Sequence, residues 1–146
     1  MKFKIEKKLK VEQIDTWAAP LEDKPGSLAK HLQALAIAGV NLGCVIARRA
    51  PEKPGAGVVF VTPIEGEAGI RAAHEIGFEK TGTLHTVRVE GRDRQGAGGH
   101  IAQVLAEKGI NLRGFSAAAI DKKFVAYVAV DTDFDAESAM QALREM

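Results

Sequence analysis

The sequence predicts an α+β chain made of two tandem copies of one β-α-β-β-α-β unit. Three observations carry this. A segment recurs at a constant offset of 70: Asp23-Lys24-Pro25-Gly26 through Gly39-Val40-Asn41-Leu42 returns as Asp93-Arg94-Gln95-Gly96 through Gly109-Ile110-Asn111-Leu112. Eight of its 20 aligned pairs are identical, where unrelated segments of ordinary composition share roughly one or two. Each copy also passes through the same order of strand-like and helix-like patterns. Where the copies differ in length they differ in a turn, the place where insertions are tolerated.

The elements follow in order. A strand is expected before each repeated Asp, over residues 12–21 in the first copy and 84–90 in the second, where Val87, Arg88, Val89 and Glu90 alternate with a period of two. A helix follows each Asp. Leu28, Leu32 and Leu35 lie on one face of the first, with Ile101, Val104 and Leu105 as their counterparts in the second. Gly39 and Gly109 end these helices as left-handed glycines. Strand pairs are expected at 44–49 with 58–63 and at 115–120 with 124–131. The turn Ala50-Pro51-Glu52-Lys53-Pro54-Gly55-Ala56-Gly57 joins the first pair and Asp121-Lys122-Lys123 the second. Second helices are expected at 67–76 and 135–144, the latter with Asp135 as N-cap.

A short strand at 78–83 closes the first copy. The second has no residues left for one, because the sequence stops at Met146. A sheet edge left this way needs cover. The alternation of Phe3, Ile5, Leu9 and Val11 points to residues 3–11 as the missing strand, in this chain or a partner's. The expected organisation is an N-terminal strand or extension at 1–11, a first repeat at 12–83 and a second, lacking its last strand, at 84–146. The unit's order is that of the ferredoxin-like two-layer sandwich, an antiparallel four-stranded sheet with two helices on one face.

Composition narrows the function. The 146 residues carry a formal net charge of +1, 46% hydrophobic and 5% aromatic residues. Without clustered excess cations or stacking aromatics, nucleic acid is not an expected partner. No apolar run reaches membrane-spanning length, and the Met1-Lys2-Phe3-Lys4-Ile5-Glu6-Lys7-Lys8 start has no apolar signal core. The expected location is therefore the cytoplasm, with no membrane partner. Cys44 is the single cysteine, so it forms no disulfide within the chain; it reads as a small apolar residue. His31, His74, His85 and His100 have no metal-ligand spacing. No cofactor and no metal are expected. Arg48 and Arg49 could meet a ligand's acid group, but they read first as a solvated strand end.

Within the ferredoxin-like class, the single cysteine excludes the Cys-x-x-Cys of metal carriers. The Asp-Lys-Pro-Gly loop is not the arginine-bearing glycine loop of acylphosphatases. The run Asp23-Lys24-Pro25-Gly26-Ser27-Leu28-Ala29, then Leu32, Leu35, Ala36 and Gly39-Val40-Asn41-Leu42, closely resembles the ACT domain, a small-molecule sensing module of amino-acid metabolism. The second copy repeats the pattern with Gln95 in place of the proline and Gly98-Gly99 at its helix start. Together the copies cover nearly the whole chain, in the arrangement of stand-alone tandem ACT proteins.

The residues fit that resemblance. A loop opening a helix at Gly26 leaves the N–H groups of Gly26, Ser27 and Leu28 at a positive helix end, a seat for a carboxylate. Asn41 offers a donor and an acceptor to a zwitterion, and Asp23 a carboxylate to an ammonium group. The expected ligand-binding residues are Asp23, Pro25, Gly26, Ser27, Leu28, Asn41 and Leu42, with Asp93, Gly96 and Asn111 of the second copy; no catalytic residue is expected. The resemblance implies a ligand bound between ACT units. The same residues also suit a purely structural role, Asp23 orienting its loop and Asn41 a left-handed exit turn.

The expected function is that of a non-catalytic regulatory protein binding an amino acid or related small carboxylate, as a homodimer or larger homo-oligomer, with a regulated enzyme or regulator as a further partner. Two alternatives stay open: an assembly subunit that associates through its ACT units without ligand, and a small enzyme on the same fold. Val58-Val59-Phe60-Val61 and residues 124–130 are apolar on both alternations, which predicts cover over the second sheet face and hence self-association.

Overall fold

The computed structural model describes residues 9–146. In chain order it contains β1 (Lys10–Ile14), β2 (Trp17–Glu22), α1 (Ser27–Ile37), β3 (Cys44–Arg49), β4 (Ala56–Thr62), α2 (Glu67–Ile76), β5 (Glu79–Lys80), β6 (His85–Arg92), α3 (Ala97–Glu107), β7 (Leu112–Ile120), β8 (Lys123–Val130) and α4 (Asp133–Arg144). Asp15–Gly82 forms one compact unit; the strand before it and Thr83–Met146 form the other.

The Asp15–Gly82 unit is an antiparallel sheet in the order β3-β4-β2-β5, with α1 and α2. Its core is Trp17, Ala19, Leu35, Val59, Val61, Ile64, Ala73 and Phe78. On β4 the inward residues Val59 and Val61 are fully buried and the alternate Val58 and Phe60 half-buried, the period of two that the pleat dictates. At the exit of α1 the Gly39 N–H bonds Ala36 O and the Val40 N–H bonds Leu35 O, each at 3.0 Å, with Gly39 at φ +87°. This Schellman closure satisfies the last carbonyls and brings Val40 back towards Leu35.

The other unit has sheet order β1-β6-β8-β7 with α3 and α4, again wholly antiparallel. Val11, Val87, Val89, Ile101, Leu105, Ile110, Ala126, Val128, Val130, Ala136, Ala139 and Leu143 make its core. The helix closures recur at the offset of 70, Gly109 to Ala106 O and Ile110 to Leu105 O, and Asp93 bonds Lys122 O in the shorter second hairpin as Asp23 bonds Gly55 O in the first. The sequence repeat is thus a repeat of backbone geometry.

The strand missing from the second repeat comes from this chain. β1 pairs with β6 from Lys10↔Glu90 to Ile14↔Thr86, in the place that β5 holds beside β2. Residues 3–8 of the expected strand lie outside the described residues. The single strand expected over 12–21 is in fact two: β1 ends at Ile14 in one sheet and β2 begins at Trp17 in the other. Residue pattern marks extended backbone but not the sheet that a strand joins, so it does not reveal such a change. Arg144 reaches back from α4 to donate to the Val11 carbonyl at 2.8 Å. Leu9 packs over Gly91, where a Cβ would meet its Cδ2 at 2.5 Å; at the corresponding place the first repeat has Leu21.

One cap differs from expectation. Thr132, not Asp135, caps α4, its hydroxyl accepting the Asp135 N–H at 3.0 Å, so the helix starts two residues earlier. On the second face of each sheet an arginine lies over the aromatic residue: Arg48 over Phe60 at 5.8 Å and Arg88 over Tyr127 at 5.9 Å. Among the described residues, β3 and β7 each have one edge with no strand beside it.

Candidate functional site

In the first repeat β2 ends at Glu22, and the chain turns through Asp23-Lys24-Pro25-Gly26 into α1. Gly26 is the N-cap at φ +91°, a left-handed conformation that disfavours any side chain. Among the described residues no side chain caps the helix, and no acidic residue lies in its first turn. The first helical bond is Lys30 N–H to Gly26 O at 3.0 Å, and the Ser27 N–H makes only a long 3.4 Å bond to Lys24 O. The positive helix end is thus open towards an anion.

Asp23 is held from two sides of the β3–β4 hairpin. Its N–H donates to Gly55 O at 3.0 Å, and its carboxylate accepts from Arg49 Nε at 2.8 Å. The strand register explains the reach: Arg49 stands opposite Gly57, and Gly57 opposite Leu21, two residues before Asp23. Arg49 is the solvated strand end expected from sequence, the last residue of β3 and exposed, and it also pairs with the loop; counting the register through the hairpin was the signal for that contact. Lys24 pairs with Glu22 at 3.1 Å.

The remaining expected residues are elsewhere. α1 has 11 residues, about 16 Å at 1.5 Å per residue, and this length separates the Asp23, Pro25, Gly26, Ser27 and Leu28 group from Asn41 and Leu42. Asn41 is exposed and Leu42 half-buried, just before β3. Within one repeat the two groups stand at opposite ends of the helix. The second repeat has the same division: Asp93 and left-handed Gly96 at the start of α3, exposed Asn111 beyond its end. Gln95 stands in the same turn as Pro25, with the Ala97 N–H bonding Arg94 O at 3.2 Å, and Ala119 occupies the place of Arg49.

Cys44 is half-buried, and burial pushes its thiol pKa up, away from the thiolate form that reacts. Glu90 accepts from Arg88 at 2.9 Å and lies 3.2 Å from Lys123; these hydrogen bonds hold its carboxyl below the usual range. Among the described residues no group of three or more His, Cys, Asp or Glu side chains is placed to hold a metal, and no helix is long and apolar enough to cross a membrane.

No protein-family model matches the chain, and no curated protein sequence does. Solved structures do. Protein BT0572 from Bacteroides thetaiotaomicron is 14% identical, with a TM-score of 0.76 over 92% of this chain and 89% of that one. The ligand-free regulatory subunit of aspartate kinase from Thermus thermophilus is 18% identical, with a TM-score of 0.65 over 97% and 98%. The regulatory subunit of aspartate kinase from Thermus flavus is 20% identical, at 0.59 over 97% and 98%. At these identities the likeness is one of fold, and that fold is the tandem, ferredoxin-like ACT arrangement.

Proposed function

We propose that this chain is a regulatory protein that binds an amino acid or a related small carboxylate at the start of α1, in a site completed by a second copy of the chain. The observation that carries the reading is the division of the site: the open helix end at Gly26 lies at one end of α1, Asn41 at the other, and the free edge of β3 runs between them. Antiparallel pairing of two β3 edges about a two-fold axis sets the start of one strand beside the end of the other. Asn41 of one copy then arrives at the Asp23–Gly26 loop of its mate. The ligand carboxylate takes the N–H groups at the helix end, Asn41 bonds the zwitterion, and Asp23 faces the ammonium group.

Binding of this kind stabilises the paired form, which is the difference in affinity between states that regulation requires. Two of the similar structures are regulatory subunits of aspartate kinase, which supports an enzyme as the regulated partner. The assembly reading rests on the same free edges, and β7 adds to it: Gly114 to Ile120 carry no charge, with Phe115 and Ile120 exposed.

A thermal-shift screen of the full chain against the twenty amino acids tests the proposal. A ligand at 100 times its dissociation constant adds about 2.7 kcal/mol. Asn41→Ala and Gly26→Val are expected to abolish the shift, and Asn111→Ala to leave it. Silence across the whole panel favours assembly without ligand, and a shift that survives in both site variants puts the ligand elsewhere.

A further inference from the structure

The two repeats part company at a single charged contact. In the first, the Asp23 carboxylate and the Arg49 guanidinium meet at 2.8 Å across the mouth of the α1 loop. In the second, Asp93 keeps its backbone bond to the hairpin, but Ala119 stands in the place of Arg49. The Arg49 side chain is 81% exposed, and an ion pair that open contributes little to holding a fold. The Asp23 N–H bond to Gly55 already ties loop to hairpin, in both repeats. The arginine is therefore surplus to the loop's structure.

We propose that Arg49 determines specificity, and that the ligand of the first repeat is an α-amino acid with a second acid group on its side chain. This rests on the binding site proposed above. An incoming ammonium group competes with Arg49 for Asp23. A neutral amino acid that wins this competition leaves the guanidinium with water alone. A dicarboxylic amino acid gives it a new carboxylate, and Arg49 presents the planar fork that such a group bonds in two places. Each charge at the mouth then keeps a counter-charge: the α-carboxylate at the helix end, the ammonium at Asp23, the side-chain carboxylate at Arg49. The second repeat, with alanine at this place, has no such preference.

Calorimetric titration of the full chain with L-aspartate, L-glutamate, L-asparagine and L-glutamine tests this. The acids are isosteric with their amides, so the change in the ratio of affinities when Arg49 is removed reads the contact. The wild-type chain is expected to bind one of the acids about tenfold more tightly than its amide, the value of one charge-assisted bond. Arg49→Ala is expected to bring that ratio close to one, and Arg49→Lys to restore part of it. Binding of the amides as tightly as the acids, or a ratio unchanged in Arg49→Ala, overturns the assignment of Arg49 and leaves the site itself standing. Binding of none of the four, alongside a neutral amino acid found in the thermal-shift screen, also overturns Arg49 alone. Silence in both experiments overturns the site and the assignment together.

Discussion

Gly98 sits in the first turn of α3, where the first repeat has Leu28. Read as sequence, Gly98-Gly99 weakens a helix start, since each glycine costs roughly 1 kcal/mol against alanine. The structure supplies the reason for the first of them. A Cβ on Gly98 would lie 3.8 Å from Phe124 Cζ and 3.9 Å from the Phe115 ring. Phe124 follows Lys123 at the start of β8, at the position where β4 has Gly57. The first repeat thus fills this part of its core from the helix, with Leu28, and the second from the strand, with Phe124. A single methyl fits at 3.8 Å and a leucine does not. Gly98→Ala is therefore expected to gain about 0.5–1 kcal/mol of helix propensity, raising the melting temperature by about 2–8 °C. Gly98→Leu is expected to lose about 1–3 kcal/mol by overpacking, and to recover part of that loss when Phe124→Ala makes room. Urea unfolding followed by circular dichroism measures all four variants. A destabilised Gly98→Ala, or additive effects of Gly98→Leu and Phe124→Ala, would refute the exchange of bulk between helix and strand.

Other perturbations probe other parts of the account. Gly57→Ala places a Cβ 2.9 Å from the Arg48 carbonyl oxygen, a backbone atom that cannot swing aside, and about 1–3 kcal/mol of lost stability is expected in the same unfolding assay. Val11→Ala removes two buried methyl groups from β1 and should cost roughly 2 kcal/mol; a neutral result would mean that β1 does not complete the second sheet. The lowered Glu90 pKa makes its contribution to stability complete above the ordinary glutamate range, near pH 4.3. That contribution falls away as acid titrates through the lower folded value, so Glu90→Gln should flatten the stability profile below about pH 4.3, and an unchanged profile would remove Glu90 from the account.

Much of the fold was legible because the repeat fixes the order of elements twice over. The 44–49 strand and 67–76 helix stand where their patterns put them, and Gly39 and Gly109 close their helices as left-handed glycines. What periodicity cannot show is which sheet a strand joins. Residues 12–21 read as one strand, yet 12–14 pair with β6 and 17–21 with β4. The candidate site was legible as residue types and not as an arrangement. Asp23 and Gly26 follow from the loop, but the separation of Asn41 by the length of α1 and the reach of Arg49 to Asp23 emerge only when helix length and strand register are laid out in space. The exchange of Leu28 for Phe124 was hidden for the same reason, because each change looks like drift until its partner is placed beside it.

The claim at the centre of this account is that the start of α1, with Asn41 of a second copy, receives an amino acid. The most direct measurement is a nitrogen-15 NMR titration of the full chain with the amino acid that gives the largest thermal shift. The account predicts that the backbone amides of Gly26, Ser27 and Leu28 and the side-chain amide of Asn41 move together along one saturation curve, although α1 separates them within a single chain. Saturable shifts confined to other residues, or movement at Gly26 with none at Asn41, would contradict it.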